Sequence, residues 1–94
     1  MSIQSFKHKG LQRLFTHGVQ RGVPAKLARK LATLLDRLDV AEEPSDMAHP
    51  PGLRLHELKG DRKGDWSITI TGNLRLTFRM SKGQVSDVDL EDYH

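Results

Sequence analysis

The sequence predicts an α+β fold in which two N-terminal helices pack on one face of a small antiparallel β-sheet. Two observations carry that expectation. Apolar residues recur at helical spacing through the first forty positions, and from Leu53 onward they alternate with polar residues at a period of two. Between the two regimes, Val40 to Gly52 is acidic and holds Pro44, Pro50 and Pro51, which marks a connecting loop. With 94 residues, a single domain over 1–94 is the expectation.

Taken in order, Ile3 to Phe6 suits a short first strand. Lys9 to His17 places Leu11, Leu14 and Phe15 on one helix face, with Gly18 positioned to end the helix. Pro24 suits the first turn of a second helix, where its missing N–H is no loss. Leu27, Leu31, Leu34, Leu35 and Leu38 then form a stripe as far as about Asp39, while Lys26, Arg29, Lys30 and Arg37 fall mostly outside it. One helical turn is expected within the loop near Ser45 to Ala48.

Three segments alternate after the loop: Leu53 to Leu58, Trp66 to Ile70 and Leu74 to Met80. A two-residue turn at Gly72-Asn73 would set Ile70 opposite Arg75 and mix the two faces. A three-residue turn over Thr71 to Asn73 instead pairs Ile70 with Leu74, Ile68 with Leu76 and Trp66 with Phe78, and is preferred. In the last strand Val85 has the opposite parity to Val88 and Leu90, so a bulge is expected near Ser86 and Asp87. With Leu90 in the core beside Leu76, Glu91 and Tyr93 share the other face with Ser67, Thr69, Arg75, Thr77 and Arg79. The helices can cover only the apolar face, so a polar, cationic sheet surface is expected to stay open to a ligand.

Composition narrows the function classes. Cysteine is absent, which removes thiol nucleophiles, disulfides and thiolate metal sites. No apolar run approaches a membrane span and no signal peptide is visible, so a soluble cytoplasmic protein with no membrane partner is expected. The net charge of +3 is blockwise: residues 1–40 carry 8 basic and 2 acidic side chains, and residues 53–83 carry 7 and 3. Residues 41–52 and 84–94 are purely acidic. Basic blocks attract polyanions, either nucleic acid or an acidic protein, although a solvated cationic face has the same composition.

No glycine-rich phosphate loop, helical histidine pair or Gly-x-Ser-x-Gly turn is present. Lys59 to Asp65 is a charged turn with glycines where the backbone bends. The chain ends Glu91-Asp92-Tyr93-His94, and a histidine can exchange a proton near neutral pH. His56 lies on the polar side of its strand, while His8, His17 and His49 are assigned no role.

Five segments carry a family resemblance: Ser5-Phe6-Lys7-His8-Lys9-Gly10-Leu11, Leu55-His56-Glu57-Leu58-Lys59-Gly60-Asp61-Arg62, Trp66-Ser67-Ile68, Asn73-Leu74-Arg75-Leu76-Thr77-Phe78 and Glu91-Asp92-Tyr93-His94. In this order, over essentially the whole chain, they resemble the HigB toxins of the RelE superfamily, the plasmid maintenance killer proteins of type II toxin–antitoxin systems. Asp65 departs from the pattern, standing where members of the family carry an aromatic residue before the tryptophan.

The resemblance implies a RelE-like fold and a ribosome-dependent endoribonuclease that cuts messenger RNA in the decoding site. It further implies silencing by a HigA-type antitoxin, through which alone DNA would be contacted. The chemistry is attack of a ribose 2'-hydroxyl on the adjacent phosphodiester, which needs a base, cations for the developing phosphate charge and an acid for the leaving 5'-oxygen. No cofactor or metal is implied. Carried over by position, the functional residues are His56, Lys59, Arg75, Asp92, Tyr93 and His94.

Arg75 is the first choice for the phosphate, because a guanidinium stays charged and engages two oxygens at once. Lys59 would be a second cation. His94 or Asp92 would be the base or its proton partner, His56 the other proton-transfer group, and Tyr93 would stack on a base or orient the phosphate. Arg54, Arg62, Lys63 and Arg79 are expected to hold RNA backbone. A non-catalytic RNA- or ribosome-binding module of the same fold, or an antitoxin-binding regulatory protein, remain alternatives. Proton-transfer groups beside Arg75 favour cleavage, since binding alone needs only cations.

Overall fold

A computed structural model describes residues 2–93. Its elements are helix α1 (Lys9–His17), helix α2 (Ala28–Val40) and strands β1 (His56–Glu57), β2 (Asp65–Thr69), β3 (Leu74–Ser81) and β4 (Gln84–Asp92). The strands form one antiparallel meander in the order β1-β2-β3-β4.

Helix α1 has the limits its apolar spacing predicts, and both ends are closed by side chains or backbone suited to the task. The His8 ring accepts the Leu11 N–H through Nδ1 at 3.1 Å, satisfying one of the donors left over in a first turn. At the other end Gly18 takes a left-handed conformation (φ 69°) and donates back to the last turn. Gly10, buried on α1, meets Gly22 in the following loop so closely that a Cβ there would lie 2.2 Å from the Gly22 carbonyl oxygen. The second helix begins as a 3-10 turn over Ala25–Leu27 behind Pro24 before becoming α-helical at Ala28, and it buries Leu31, Leu34, Leu35 and Leu38. In the acidic loop the expected single turn appears as a 3-10 turn over Pro44–Met47, which plants Met47 in the core.

The preferred hairpin register is the one formed. Trp66 pairs with Phe78 and Ile68 with Leu76, and the Ile70 and Thr71 N–H groups both donate to the Leu74 carbonyl across the turn. The bulge in β4 also lies where the change of parity places it. Asp87 adopts φ 55°, and Asp87 and Val88 together oppose Phe78. Val85 and Val88 are thereby both turned into the core.

Two expected strands are altered. Ile3 to Phe6 forms no named strand, only isolated parallel bridges from Ile3 to Val85 and from Phe6 to Val88. The β4 bulge explains this, because the Asp87 N–H turns to the Ser5 hydroxyl and interrupts the ladder that a continuous strand would need. Leu53 to Leu58 shrinks to His56–Glu57. Leu53 closes a 3-10 turn and Arg54 enters the left-handed region (φ 50°), so extended pairing can start only beyond it. Leu53 stays buried despite leaving the sheet.

The buried helix residues and the apolar side of the sheet, including Ile68, Leu76, Phe78, Val85 and Val88, form a single core cluster. Alternation then assigns His56, Asp65, Ser67, Thr69, Arg75, Thr77, Arg79 and Glu91 to the opposite face. That face is less open than its polarity predicts, since Ser67 and Thr77 are each only 1% exposed.

Candidate active site

The polar face is built in rows set by strand pairing. One row runs Thr69, Arg75, Glu91; the next runs His56, Ser67, Thr77, Asp89; a third joins Asp65 to Arg79 and Ser86. Glu91 is the hub. Arg62, reaching over from the 3-10 turn Gly60–Arg62, donates from Nη1 to Glu91 Oε1 at 2.7 Å and from Nη2 to Oε2 at 2.6 Å. The Thr77 hydroxyl donates to the same Oε2 at 2.6 Å. The Arg62 hydrogen bonds above all hold the Glu91 carboxyl down at about 2; burial opposes them, and the Thr77 hydroxyl and the charges of Arg62 and Arg75 assist. In return Glu91 holds the Arg62 guanidinium further above its ordinary range.

Arg75 is bound more loosely. Its Nη2 lies 3.4 Å from Glu91 Oε1, and its buried Nε has no hydrogen-bond partner among the described residues. The guanidinium carbon sits 4.6 Å from the centre of the Tyr93 ring, within cation–π range. Tyr93 is in turn fixed by its N–H donating to the Asn73 carbonyl at 2.8 Å. A flat cation with unspent donors, oriented by an aromatic ring and held by one long carboxylate contact, is suited to receive a phosphate.

The remaining expected residues are distributed unevenly. His56 shares the polar face but lies two strands from Arg75, on the order of 10 Å away. Its Nδ1 is 2.9 Å from the Arg54 carbonyl oxygen. Lys59 and Lys63 are exposed and line a shallow cavity of about 330 Å³ with Glu57, Leu58 and Gly60. Asp92 is not brought to Arg75: it pairs with Leu74 on the opposite parity, and its Oδ1 accepts from Asn73 Nδ2 at 3.1 Å. His94 lies outside the described residues. Of the four residues expected to hold RNA backbone, Arg54 and Lys63 are exposed, whereas two are engaged in ion pairs. Arg62 is bound by Glu91 and Asp65, and Arg79 donates to Asp65 at 2.7 Å.

Glu91 and Thr77 are the members of this site to which no chemistry was assigned from sequence, although alternation placed both on the correct face. Nor did the sequence show that Asp65 joins Arg62 and Arg79 in one ion-pair network. Among the described residues, no three His, Asp or Glu side chains converge where a metal ion could be held.

The model of the HigB-like toxins, described as RelE-like toxins of type II toxin–antitoxin systems, matches residues 4–94. This chain belongs to that family. Within it, the chain is 45% identical over 92 residues to a Proteus vulgaris protein named endoribonuclease HigB, covering 98% of this chain and 99% of that one. It is 32% identical over 89 residues to toxin HigB-1 of Vibrio cholerae serotype O1, covering 94% of each. The match spans the whole ion-pair network as well as Tyr93 and Asp92. The HigB-family fold thus supplies the α+β frame, with two helices and a four-stranded antiparallel sheet, on which Arg75 is mounted. No helix among the described residues is long and apolar enough to cross a membrane.

Proposed function

We propose that this HigB-family chain is the toxin of a type II toxin–antitoxin pair and an endoribonuclease that cuts messenger RNA in the decoding site of the ribosome. The observation that carries the proposal is Arg75, a cation on the polar sheet face against the Tyr93 ring, whose buried Nε has no hydrogen-bond partner among the described residues. Near-complete coverage of a relative named as an endoribonuclease supports the same conclusion.

In the scheme, a ribose 2'-hydroxyl attacks the adjacent phosphorus while a base takes its proton. The bond to the 5'-oxygen breaks, an acid delivers a proton to that oxygen, and a 2',3'-cyclic phosphate is left. Arg75 binds the non-bridging oxygens, where negative charge grows, and Lys59 adds a second positive charge from the turn beside β1. His56, on the Arg75 face, and His94 supply the proton transfers, whereas Asp92, on the other parity of β4, is not placed at the phosphate. Glu91 is no acid for this reaction, because its carboxyl is held ionised and both oxygens are occupied. Tyr93 orients the phosphate through Arg75 and, being exposed, is open to stacking by a base. The scheme uses side chains alone.

Residues 1–94 act as one domain, with both helices covering the apolar face of the sheet and leaving the Arg75 face to RNA. The shared core of helices and sheet, and a Lys30 Nζ hydrogen bond to the Ile70 carbonyl at 3.1 Å, support that placement. A HigA-type antitoxin silences the toxin in the cytoplasm and is its only link to DNA. The test is mapping of messenger 5' ends after adding purified protein to programmed ribosomes or to naked RNA, with Arg75→Ala in parallel. Cuts restricted to the decoding site and reduced about 100- to 1000-fold by the substitution are expected. Binding without cuts would replace the proposal with a non-catalytic module of the same fold.

A further inference from the structure

We propose that Arg62 and Glu91 are positioning residues: Arg62 engages Glu91 so that Glu91 orients Arg75 without taking up its hydrogen-bond donors. The inference rests on Arg75 being the phosphate-binding cation, and extends it to the groups that keep that cation available.

The geometry is asymmetric. Glu91 stands between two guanidiniums yet gives both oxygens to Arg62, at 2.7 and 2.6 Å, and offers Arg75 only a 3.4 Å contact. Charge-assisted N–H···O bonds of full strength lie near 2.7–2.9 Å, so Arg62 makes the strong hydrogen bonds while Arg75 is attracted by the same carboxylate without a short one. The Thr77 hydroxyl, on a fully buried residue of the adjoining strand, locks Glu91 Oε2 from a third side. Asp65 braces Arg62 through Nε at 3.2 Å and is itself held by Arg79. The carboxylate is therefore fixed in place before any phosphate arrives.

Without Arg62, the nearest cation left to Glu91 is Arg75. A carboxylate facing one guanidinium forms a two-pronged pair, and that pair would occupy the donors a phosphate needs. The arrangement separates two demands on Arg75 that ordinarily conflict. It is oriented by an anion and a ring, and among the described residues it makes only one long hydrogen bond, so donors remain for a phosphate.

The experiment compares Arg62→Ala, Glu91→Gln and the double variant with the wild type and with Arg75→Ala, in messenger cleavage on programmed ribosomes. Affinity for a messenger carrying 2'-deoxyribose at the cut position is measured in parallel, and thermal melting checks each fold. Arg62→Ala is expected to lower cleavage on the order of 100-fold and to weaken analogue binding. Adding Glu91→Gln removes the anion that would trap Arg75, and is expected to recover roughly tenfold or more of the loss. A double variant no more active than Arg62→Ala would overturn the proposal, and so would a recovery of cleavage that only follows a recovery of the melting temperature, which is what a purely structural pair gives. Should Arg62→Ala fail to fold, Arg62→Gln with and without Glu91→Gln makes the same comparison. If the wild type makes no cuts, the nuclease reading fails, and the same ranking in analogue affinity decides the positioning role by itself.

Discussion

Replacing Glu91 by glutamine tests the network through its dependence on acid. The Glu91 pKa falls from 4.5 to about 2 on folding, chiefly through the Arg62 hydrogen bonds. At about 1.4 kcal/mol per pH unit, that drop sets a ceiling of about 3 kcal/mol. The Glu91 side chain is 21% exposed and that of Arg62 is 37% exposed, so water screens the pair and the expected contribution is about 1–2 kcal/mol. Because the folded pKa lies below the unfolded one, this stability is fully present above pH 4.5 and is lost as pH falls toward 2. Urea unfolding of wild type and Glu91→Gln between pH 7 and pH 2 reads it directly. The variant should be less stable by about 1–2 kcal/mol at pH 7, and the difference should shrink across the acid window until the curves converge. A difference that stays constant from pH 7 to pH 2 would refute the assignment of the ion pair as the source of stability.

Two further outcomes are expected. Gly10→Ala would place a Cβ 2.2 Å from the Gly22 carbonyl oxygen and 2.7 Å from its carbon, both backbone atoms, so α1 must move. Overpacking of this kind should cost about 1–3 kcal/mol and lower the thermal midpoint by roughly 5–20 °C; an unchanged melt would show that the helix yields freely. Tyr93→Phe keeps a ring over Arg75, whereas Tyr93→Leu removes it. Affinity for a non-cleavable messenger should be nearly unchanged in the first and about fivefold weaker in the second, and equal effects would exclude the ring–guanidinium contact as the cause.

Much of the frame was legible because it is written in local periodicity. Leu11, Leu14 and Phe15 locate α1, and the requirement that Ile68 and Leu76 share a face selects the hairpin register. The change of parity between Val85 and Val88 foretells the bulge at Asp87. Periodicity fails where the backbone leaves its regular region or where pairing is interrupted. Nothing in the alternation of Leu53, Arg54, Leu55 and His56 shows that Arg54 turns left-handed. Likewise, apolar residues at Ile3 and Phe6 do not reveal that the bulge leaves them only two bridges. The site divides in the same way. Alternation assembled Arg75, Glu91, Thr77 and Tyr93 on one face, and the terminal Asp92 fell on the other by that same rule. Arg62 was beyond its reach, since it meets Glu91 29 positions away through a flexible side chain extending from a turn.

The ion-pair network also explains how the polar sheet face can carry so many arginines in a small fold. Arg62, Arg75 and Arg79 without counterions would repel one another and lose hydration on a surface where Ser67 and Thr77 are already buried. Asp65 and Glu91 offset two of the three charges, and both carboxylates are given principally to Arg62 and Arg79. Among the five side chains of the network the formal balance is one positive charge, associated with Arg75. A phosphodiester brings one negative charge, so binding it at Arg75 completes the balance of the network, whereas a network with a third carboxylate on Arg75 would offer it nothing. An unneutralised face would bind RNA backbone wherever it met it, with no preference for the position beneath Tyr93. On the proposed reading the carboxylates therefore do more than hold the sheet together: by offsetting Arg62 and Arg79, they leave Arg75 as the cation offered to a phosphate.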